Sequence, residues 1–443
     1  MNSILSVSSI DGRYRAITNI LENYFSEYSF FKYRVKVEID YFKKLCKILD
    51  INNINEELLD KIKNEFNKLE CLKIKQIESE INHDVKAVET YIGDKFTENN
   101  HLHQNLIHFG LTSQDINNVS ISLSIKDYIN DIFYINIAKI INLIEIKVNL
   151  WKDDIIITRT HGQPAVPSSM GKEMKVFMYR LEKELNNLKN IQIHSKFGGA
   201  VGNFNAHHIC YPDIDWNQFA NNFLNDYGLE RNEFTTQIDN YETLSIIFDN
   251  IKRINTILLD MCRDIWTYIS MDYLKQKINE NEVGSSTMPQ KVNPINFENA
   301  EGNLMLSINM LEFLSRKLPV SRLQRDLTDS TTLRNLGIVF GWCEVAYHNI
   351  NMGLQKININ EVKIKEEYDN NLSVLTEGYQ TLLRSWGDND AYYKLKEFSR
   401  KNTKLTKNDI NQFIDNLNIS NDRKVNMKNI NIQNYIGNSK NYI

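Results

Sequence analysis

Three long stretches of the sequence contain neither glycine nor proline, the two residues that most readily interrupt a helix. They run from Leu111 to His161, from Lys172 to Phe197 and from Leu229 to Val283, in a chain of 443 residues with only 17 glycines and 6 prolines. An interior proline costs a helix roughly 3 kcal/mol and a glycine roughly 1 kcal/mol. Their absence therefore permits helices well beyond the usual length of about 10–14 residues.

Apolar residues recur at intervals of three and four in each stretch, which indicates amphipathic helices. We expect helices of about 25 to 35 residues there, roughly 40 to 50 Å long. Two more helices are expected, from Ile295 to Lys317 and from Leu333 to Leu354. The recurring positions are Phe133, Ile137, Ile140, Ile144, Val148 and Trp151, then Met174, Phe177, Leu181, Leu185 and Leu188, then Ile246, Ile247, Ile251, Ile254, Leu258, Cys262 and Ile265.

Part of the first stretch is apolar around most of the helix axis. Tyr128, Ile129, Ile132, Phe133 and Ile135 together leave little polar surface on that segment. Such a helix must be covered on most sides, which predicts a helical bundle made by several chains. We place domain boundaries so that residues 1–101, 102–354 and 355–443 form an N-terminal helical domain, a central long-helix domain and a small C-terminal helical domain.

Bulk composition excludes several classes of protein. The chain has 52 basic and 56 acidic residues, a net charge of −4, so bulk charge favours neither a nucleic-acid nor a membrane partner. An anionic substrate would need a local cluster of cations. We see no secretory signal and no membrane span of about 18 to 20 apolar residues. The scattered cysteines fit neither a disulfide framework nor a zinc site and favour a reducing cytoplasm; they are Cys46, Cys71, Cys210, Cys262 and Cys343.

Between the long helices the sequence is punctuated by segments where we expect loops that carry chemistry. One of them, Gly284 to Asn303, reads GSSTMPQKVNPINFENAEGN. Asn293 and Pro294 predict a helix cap and a first helical residue. Free backbone N–H groups at that end, beside Lys291, make an anion site, and Glu298 follows one turn later. The alternative for the cap is an ordinary surface loop.

Two further segments carry candidate functional side chains. His161 lies in Thr160 to Pro164 (THGQP), and histidine is the side chain best suited to proton transfer near neutral pH, although a histidine before glycine is commonly just a loop residue. Thr112 or Ser113 caps the first long helix at the start of TSQDINN. Hydroxyls at a helix N-terminus can also hold a carboxylate.

These three motifs, in this order, resemble the fumarase/aspartase superfamily. Four more elements resemble one branch of it, the adenylosuccinate lyases of bacterial type: Asp11–Tyr14, Asn82–Glu89, Thr235–Gln237 and Ser321–Arg334. The resemblance runs from about Ser9 to Leu336 and continues through Asn434–Gly437, which is nearly the whole chain.

The resemblance implies a reaction and its catalytic residues. It implies β-elimination of fumarate from adenylosuccinate, giving AMP, and from the succinylated carboxamide intermediate SAICAR, giving AICAR, without a cofactor or metal. Ser285 matches the general base, with Ser286 as the second choice, and His161 matches the general acid. Glu298 matches the carboxylate that orients the histidine. His83 matches a second histidine with a binding or secondary proton role, or a structural one.

The same resemblance implies a substrate-binding set. Arginine suits a phosphate because its fork matches phosphate oxygens. Positions matched to the phosphate and ribose are Arg13, Arg325, Ser330 and Arg334, with Tyr14, Gln237, Asn299 and Thr331 nearby, although each arginine taken alone fits a surface ion pair. The candidates for stabilising negative charge on the substrate carboxylate are Lys291, Asn293, Thr112 and Ser113. Asn82, His83 and Asp84 complete the set.

The fold implied by the resemblance is all-α, in three domains. The central domains of four chains form a twenty-helix core in a homotetramer, and each active site takes residues from three chains. This agrees with the multi-chain bundle expected from the helix pattern.

Two alternatives stay open from the sequence. The chain fits another lyase of the superfamily, such as argininosuccinate lyase, aspartase or fumarase, but the arginines near Arg325 suit a nucleotide phosphate. It also fits a non-catalytic helical scaffold of this fold, against which Ser285 and His161 argue. A metal site is not expected, because no cysteine or carboxylate joins the histidines at a ligand spacing; these histidines are His101, His103, His108, His207 and His208.

Overall fold

Helices dominate the computed structural model, which describes residues 3–277, 288, 290–401 and 404–443. The described α-helices are α1 (Arg15–Thr18), α2 (Glu22–Phe25), α3 (Glu27–Ile48), α4 (Glu56–Asn64), α5 (Lys68–Ile81), α6 (Asp84–Glu98), α7 (Ser113–Tyr128), α8 (Tyr134–Leu150), α9 (Met170–Lys189), α10 (Asn205–Cys210), α11 (Trp216–Asn225), α12 (Glu242–Ser270), α13 (Ile295–Lys317), α14 (Thr328–Leu333), α15 (Leu336–Lys356), α16 (Glu361–Asn370), α17 (Thr376–Ser385), α18 (Ala391–Lys401), α19 (Lys407–Asp415) and α20 (Asn421–Lys428). A π-helical segment, Ile129–Phe133, connects α7 to α8.

Short strands form three two-stranded pairs within the described ranges. They are β1 (Ile155–Thr160) antiparallel to β2 (Gln163–Ser169), β3 (His194–Ser195) parallel to β4 (Glu230–Arg231), and β5 (Leu274–Gln276) antiparallel to β6 (Ile357–Ile359). Because these pairs are small additions to a helical chain, the predicted all-α class is confirmed. None of the helices described here is long and apolar enough to span a membrane.

The predicted helix faces are buried as expected. Every apolar position predicted from the intervals of three and four is buried, except Ile246, which is 53% exposed. Helix α13 has the predicted bounds. Helix α15 begins three residues later than predicted, because Leu333 ends the short α14 and a turn follows it.

The first glycine-free stretch is not one uninterrupted helix. It contains the π-helical segment and ends in β1, whose Ile155, Ile156 and Ile157 are buried β-branched residues that favour a strand. The segment from Thr160 to Pro164 is not a loop throughout, because Gln163–Ser169 pairs with β1 and only His161 and Gly162 lie between the two strands.

The chain divides into two compact units. Unit 1 comprises Met1–Ile137, Glu184–Thr256 and Gly302–His348, and unit 2 comprises Ala138–Lys183, Ile257–Glu301 and Asn349–Ile443. The three-domain division proposed from the sequence remains a prediction.

An aromatic cluster occupies the interior of unit 1. The ring of Phe340 stacks on Phe25 at 4.8 Å and lies 4.5 Å from the ring of Tyr128. The buried Tyr128 hydroxyl donates to Glu344 Oε1 at 2.8 Å, which satisfies both buried polar groups. These contacts join α2, α7 and α15 inside unit 1.

The core of unit 2 joins the β1 strand to the C-terminal helices. Ile155 and Ile157 pack in one buried cluster with residues of α17 to α20, among them Tyr379, Leu383 and Ile414. Arg159, further along β1, contacts Glu367 of α16 at 3.3 Å. The open end of the β1–β2 hairpin is therefore fixed by packing, and β1 is held near the turn by an ion pair.

Candidate active site

The start of α7 is fixed by a buried carboxylate. Thr112 has the extended backbone of an N-cap residue, and its N–H donates to Asp115 Oδ2 at 2.8 Å. Asp115 Oδ1 accepts from Lys196 Nζ at 2.5 Å and from the N–H of Gly198 at 2.8 Å, with no exposure of either charged side chain. Burial lowers the pKa of Lys196, and the attraction of Asp115 opposes that shift. The pair holds the turn at Thr112 and Ser113 in one position.

The corner between α5 and α6 presents three predicted residues. Asn82 ends α5 in the left-handed region with φ 53°, which asparagine tolerates. His83 caps α6, and its Nδ1 accepts the N–H of Lys86 at 3.1 Å. Because Nδ1 is used as an acceptor, the other ring nitrogen, Nε2, is left for a ligand. Asp84 Oδ1 accepts the N–H of Val85 at 2.9 Å.

Asp84 lies between two arginines. Its Oδ2 is 2.9 Å from Arg34 Nη2 and 3.3 Å from Arg334 Nη2. Burial alone would raise the pKa of Asp84, but Arg34, the N–H of Val85 and Arg334 together bring it below the ordinary value. The carboxylate is therefore held in its charged form.

The segment around α14 carries the predicted residues Arg325 and Ser330. Arg325 Nη1 donates to Gln237 Oε1 at 3.2 Å. The N–H of Ser330 donates to the buried Asp329 at 2.7 Å, and Asp329 also accepts the hydroxyl of Tyr241 at 2.9 Å. Two segments that are far apart in sequence are therefore joined by hydrogen bonds.

One cavity of ≈ 340 Å³ in unit 1 brings many of the predicted residues together. We call it the unit 1 cavity. Seven predicted residues line it: Asn82, His83, Asp84, Ser113, Arg325, Ser330 and Arg334. Arg34 and Asn117 also line it, and the sequence analysis did not select them. Asn117 lies in the TSQDINN motif, whereas Arg34 lies in α3 among ordinary helical residues and had no motif to mark it.

Five other predicted residues of unit 1 do not line this cavity. Gln237 contacts it through Arg325, and Thr112 lies beside the lining residue Ser113. Arg13 and Thr331 are exposed, and Tyr14 precedes α1 with its carbonyl accepting from the N–H of Thr18 at 3.1 Å.

His161 occupies the turn of the β1–β2 hairpin in unit 2. Thr160 pairs with Gln163, so His161 and Gly162 form a two-residue turn, and both have positive φ, 53° and 74°. His161 is exposed, and its ring forms no hydrogen bond or ion pair with any residue that the structure describes. Its backbone is fixed by the hairpin, but its ring is not oriented by a neighbour.

The start of α13 presents four predicted residues of unit 2. Helix α13 begins at Ile295, directly after Pro294, and the carbonyl of Pro294 accepts its first N–H bonds. Lys291 is exposed and Asn293 is half-buried. The side chain of Glu298 accepts from Trp266 Nε1 at 3.0 Å, and Asn299 Oδ1 accepts from Asn349 Nδ2 at 3.0 Å. Ser285 and Ser286 lie outside the described residues.

Sequence comparison decides the family. The family described as "Lyase" matches residues 12–307, and the family described as "Adenylosuccinate lyase C-terminal" matches residues 321–436. Adenylosuccinate lyase of Dictyostelium discoideum is 46% identical over 453 residues, which cover 99% of this chain and 97% of that protein. The chain belongs to the adenylosuccinate lyase family.

Bacterial members of the family are similarly close. Adenylosuccinate lyase of Escherichia coli strain K12 is 42% identical over 445 residues, covering 99% of this chain and 97% of that protein. Membership of the adenylosuccinate lyase family identifies the chain as an enzyme, a carbon–nitrogen lyase. The predicted resemblance is therefore confirmed.

Solved structures show the same fold at low sequence identity. The 3-carboxy-cis,cis-muconate lactonizing enzyme from Pseudomonas putida superposes with a TM-score of 0.77 at 16% identity, over 96% of this chain and 95% of that one. A fumarate lyase from Mesorhizobium sp. BNC1 gives 0.75 at 14% identity, over 96% of both chains. The fumarase/aspartase-like fold expected for the adenylosuccinate lyase family is confirmed.

Proposed function

We propose that this protein eliminates fumarate from adenylosuccinate to give AMP, and from SAICAR to give AICAR, as a step in purine nucleotide synthesis in the cytoplasm. The observation that carries this proposal is the unit 1 cavity, where three arginines and the residues of three separate sequence motifs lie together. A cluster of this kind supplies the local positive charge that a chain with net charge −4 needs to bind a nucleotide.

The proposed phosphate subsite uses Arg325, Arg334 and the hydroxyl of Ser330. Arginine binds phosphate oxygens through paired N–H groups, so two arginines and a hydroxyl match the charge and the acceptors of a phosphate monoester. We assign Arg13, Tyr14, Gln237, Asn299 and Thr331 to the ribose and its surroundings. Asn82 and Asp84 complete the wall of the subsite.

The proposed chemistry begins with removal of a proton from the carbon beside a carboxylate. Negative charge then accumulates on that carboxylate before the C–N bond breaks. Lys291, Asn293, Thr112 and Ser113 are the proposed donors to this charge, each contributing roughly 2.7–4 kcal/mol in a site that excludes water. Ser285 is the proposed base, because donors close to its hydroxyl would stabilise its alkoxide.

Proton donation to the leaving nitrogen completes the proposed reaction. We assign it to His161, with Glu298 orienting the imidazole and supporting its charged form. Within the described residues, Glu298 contacts Trp266 and not His161, so we propose that His161 meets its carboxylate through another subunit. His83 is assigned to substrate binding, with Nε2 facing the ligand.

A homotetramer with sites shared by three chains is part of the proposal. Large apolar side chains are exposed on the long helices, and contiguous exposed apolar surface marks protein interfaces. Examples are Ile135 at 48%, Ile146 at 50%, Leu150 at 61%, Ile246 at 53% and Leu306 at 49% exposed. Light scattering that gave a monomer at micromolar concentration would contradict this part.

The direct test is turnover of adenylosuccinate, followed by the change in purine absorbance. We expect turnover of adenylosuccinate and SAICAR but not of argininosuccinate, aspartate or malate. Turnover of one of those three in place of adenylosuccinate would assign the protein to another lyase of the superfamily. If the protein turned over none of these substrates, the result would favour a non-catalytic scaffold.

Mixing two inactive variants tests the shared site. Ser285→Ala and His161→Gln should each lack turnover as pure proteins. If Ser285 and His161 of one site come from different subunits, mixed oligomers contain some sites with both native residues. Partial recovery of activity after mixing is expected, whereas no recovery in verified mixed oligomers would contradict a shared site.

A further inference from the structure

The three arginines of the unit 1 cavity differ in how they are held. Arg34 has 13% of its side chain exposed, whereas Arg334 has 60% exposed. Arg325 contacts the neutral amide of Gln237 at 3.2 Å. Arg34 belongs to no sequence motif selected above, and its place in the cavity is known from the structure alone.

Both ends of the Arg34 guanidinium are occupied. Nη2 lies 2.9 Å from Asp84 Oδ2, and Nε donates to Asn117 Oδ1 at 2.9 Å. The guanidinium also lies 5.4 Å from the centre of the Phe31 ring. Arg34 of α3 is therefore fixed against both α6 and α7, and its position is set before any ligand binds.

Asp84 is the carboxylate for which Arg34 and Arg334 compete. Its Oδ2 is closer to Arg34, at 2.9 Å, than to Arg334, at 3.3 Å. Arg34 is mostly buried, so its contact with Asp84 is weakened less by solvent than the exposed contact of Arg334.

The other carboxylates that line the cavity already have a partner. Lys75 Nζ donates to Glu27 Oε1 at 2.7 Å and to Glu78 Oε2 at 2.6 Å. A phosphate monoester carries a charge of about −1.5 to −2 near pH 7, which two cations balance. Arg325 and Arg334 supply those two cations only if a third cation neutralises Asp84.

We propose that Arg34 is a positioning residue, which neutralises Asp84 and so leaves Arg334 available to the phosphate of the substrate. This inference rests on the proposed function, because it assigns the ligand of Arg334 to a nucleotide phosphate. Without Arg34, Asp84 binds Arg334 and takes one of the two phosphate cations away.

The test compares AMP with adenosine, which lacks the phosphate, by calorimetric titration of the full-length protein. Arg34→Gln should weaken AMP binding about ten- to a hundredfold, the scale of one charge-assisted hydrogen bond, and change adenosine binding less than about twofold. In an Asp84→Asn background, Arg34→Gln should cost less than about threefold, because there is no carboxylate left to neutralise.

Two further variants control the test. Arg253→Gln removes an arginine of unit 1 that pairs with Glu184 at 3.0 Å and does not line the cavity, and AMP binding should not change. Arg34→Lys keeps a charge beside Asp84, and AMP affinity should stay within about threefold of the unaltered protein. If Arg34→Gln does not fold, Arg34→Lys and the double variant carry the comparison.

Four outcomes would overturn the inference. An equal loss of AMP and adenosine binding in Arg34→Gln would show a structural role, and no loss would show no role. An undiminished loss in the Asp84→Asn background would show that Arg34 contacts the phosphate itself. If the unaltered protein does not bind AMP more tightly than adenosine, both this inference and the proposed phosphate subsite are wrong. If it does, any of the other outcomes rejects only the role of Arg34.

Discussion

The unit 1 cavity and the His161 turn of unit 2 are built in opposite ways. In the cavity, charged side chains have partners before a ligand arrives: Asp84 has Arg34, and Arg325 has Gln237. The hydroxyl of Tyr241 and the N–H of Ser330 meet on the buried Asp329.

The turn fixes the backbone of His161 but leaves its ring exposed and without a hydrogen bond among the described residues. Positioned donors lose little freedom when an anion binds, whereas a free ring must still be oriented. Under the proposed function, this difference means that phosphate recognition is prepared inside one chain, whereas proton transfer by His161 needs groups that orient its ring.

The largest expected effect is a loss of kcat, without a loss of AMP binding, when His161 is replaced. His161→Gln should lower kcat by about 10²- to 10⁴-fold, the usual contribution of a general acid. AMP binding should stay within about twofold, because the cavity does not include residue 161. Steady-state kinetics and AMP titration measure both, and the exposed His208→Gln is the matched control. A large loss of AMP affinity would contradict the separation.

A smaller effect is expected at the phosphate end. Arg325→Gln should raise KM for adenylosuccinate about ten- to a hundredfold, since it removes a charge-assisted contact to phosphate. We expect kcat to fall less than KM rises, because the bond is made in both the ground state and the transition state. Arg322→Gln, at an exposed arginine three residues earlier, serves as the control. A change in kcat with unchanged KM would contradict a binding role for Arg325 and indicate a role in the chemical step.

Loss of the hydrogen bond between Tyr241 and Asp329, behind the cavity, should have a measurable but modest effect on KM. Tyr241→Phe removes the hydrogen bond to Asp329 at 2.9 Å and leaves a buried carboxylate oxygen with one donor fewer. We expect KM to rise about fivefold, corresponding to roughly 1 kcal/mol for one neutral donor. Tyr392→Phe, at a residue that is 55% exposed, is the control in the same kinetic assay. An unchanged KM would show that Ser330 is held without Tyr241.

The smallest effect concerns the residues packed beneath the start of α7. His207 is fully buried, and its Nε2 lies 3.0 Å from the oxygen of the Tyr41 hydroxyl. That hydroxyl donates its one proton to the carbonyl of Phe109 at 2.6 Å. Burial lowers the pKa of His207 to about 4. Its folded-state pKa is below the unfolded value of about 6.5, so its contribution to stability is present above that pH and is lost as pH falls towards 4.

Replacing His207 should therefore change the acid side of the stability curve. His207→Gln should make Tm less sensitive to pH between about 6.5 and 4. In that range His207 is protonated in the unfolded chain but stays neutral in the folded chain, which lowers the free energy of unfolding. His208→Gln, at the exposed neighbour, should keep the slope of the unaltered protein. Equal slopes for His207→Gln and the unaltered protein would reject the burial of a neutral imidazole at this position.

The sequence predicted the helical elements better than the breaks between them. Period-three and period-four spacing identified the buried faces of α8, α9 and α12, because burial on one side of a helix leaves that pattern. It did not reveal β1 and β2, since three isoleucines suit a buried helix and a buried strand equally. The hairpin forms because Ile155 and Ile157 pack against the C-terminal helices, a contact that local spacing does not contain.

The candidate site was predicted from motifs in part. Motifs indicated seven residues that line the unit 1 cavity, among them His83 and Arg325, but they did not indicate Arg34. A single arginine in an amphipathic helix matches a surface ion pair unless its partners are known. The distances from Arg34 to Asp84 and Asn117 involve residues 50 and 83 positions away, which no local pattern connects.

By itself, the sequence determined the family, the helical class and the chemical types of the candidate residues, because these depend on composition, spacing and motif. Tertiary structure alone decided which charges meet. It placed Asp84 between Arg34 and Arg334, put the buried Asp115 on Lys196, and left the His161 ring exposed at a turn. The physical reason is that electrostatic and hydrogen-bond energies depend on distance and burial, which the order of residues along the chain does not specify.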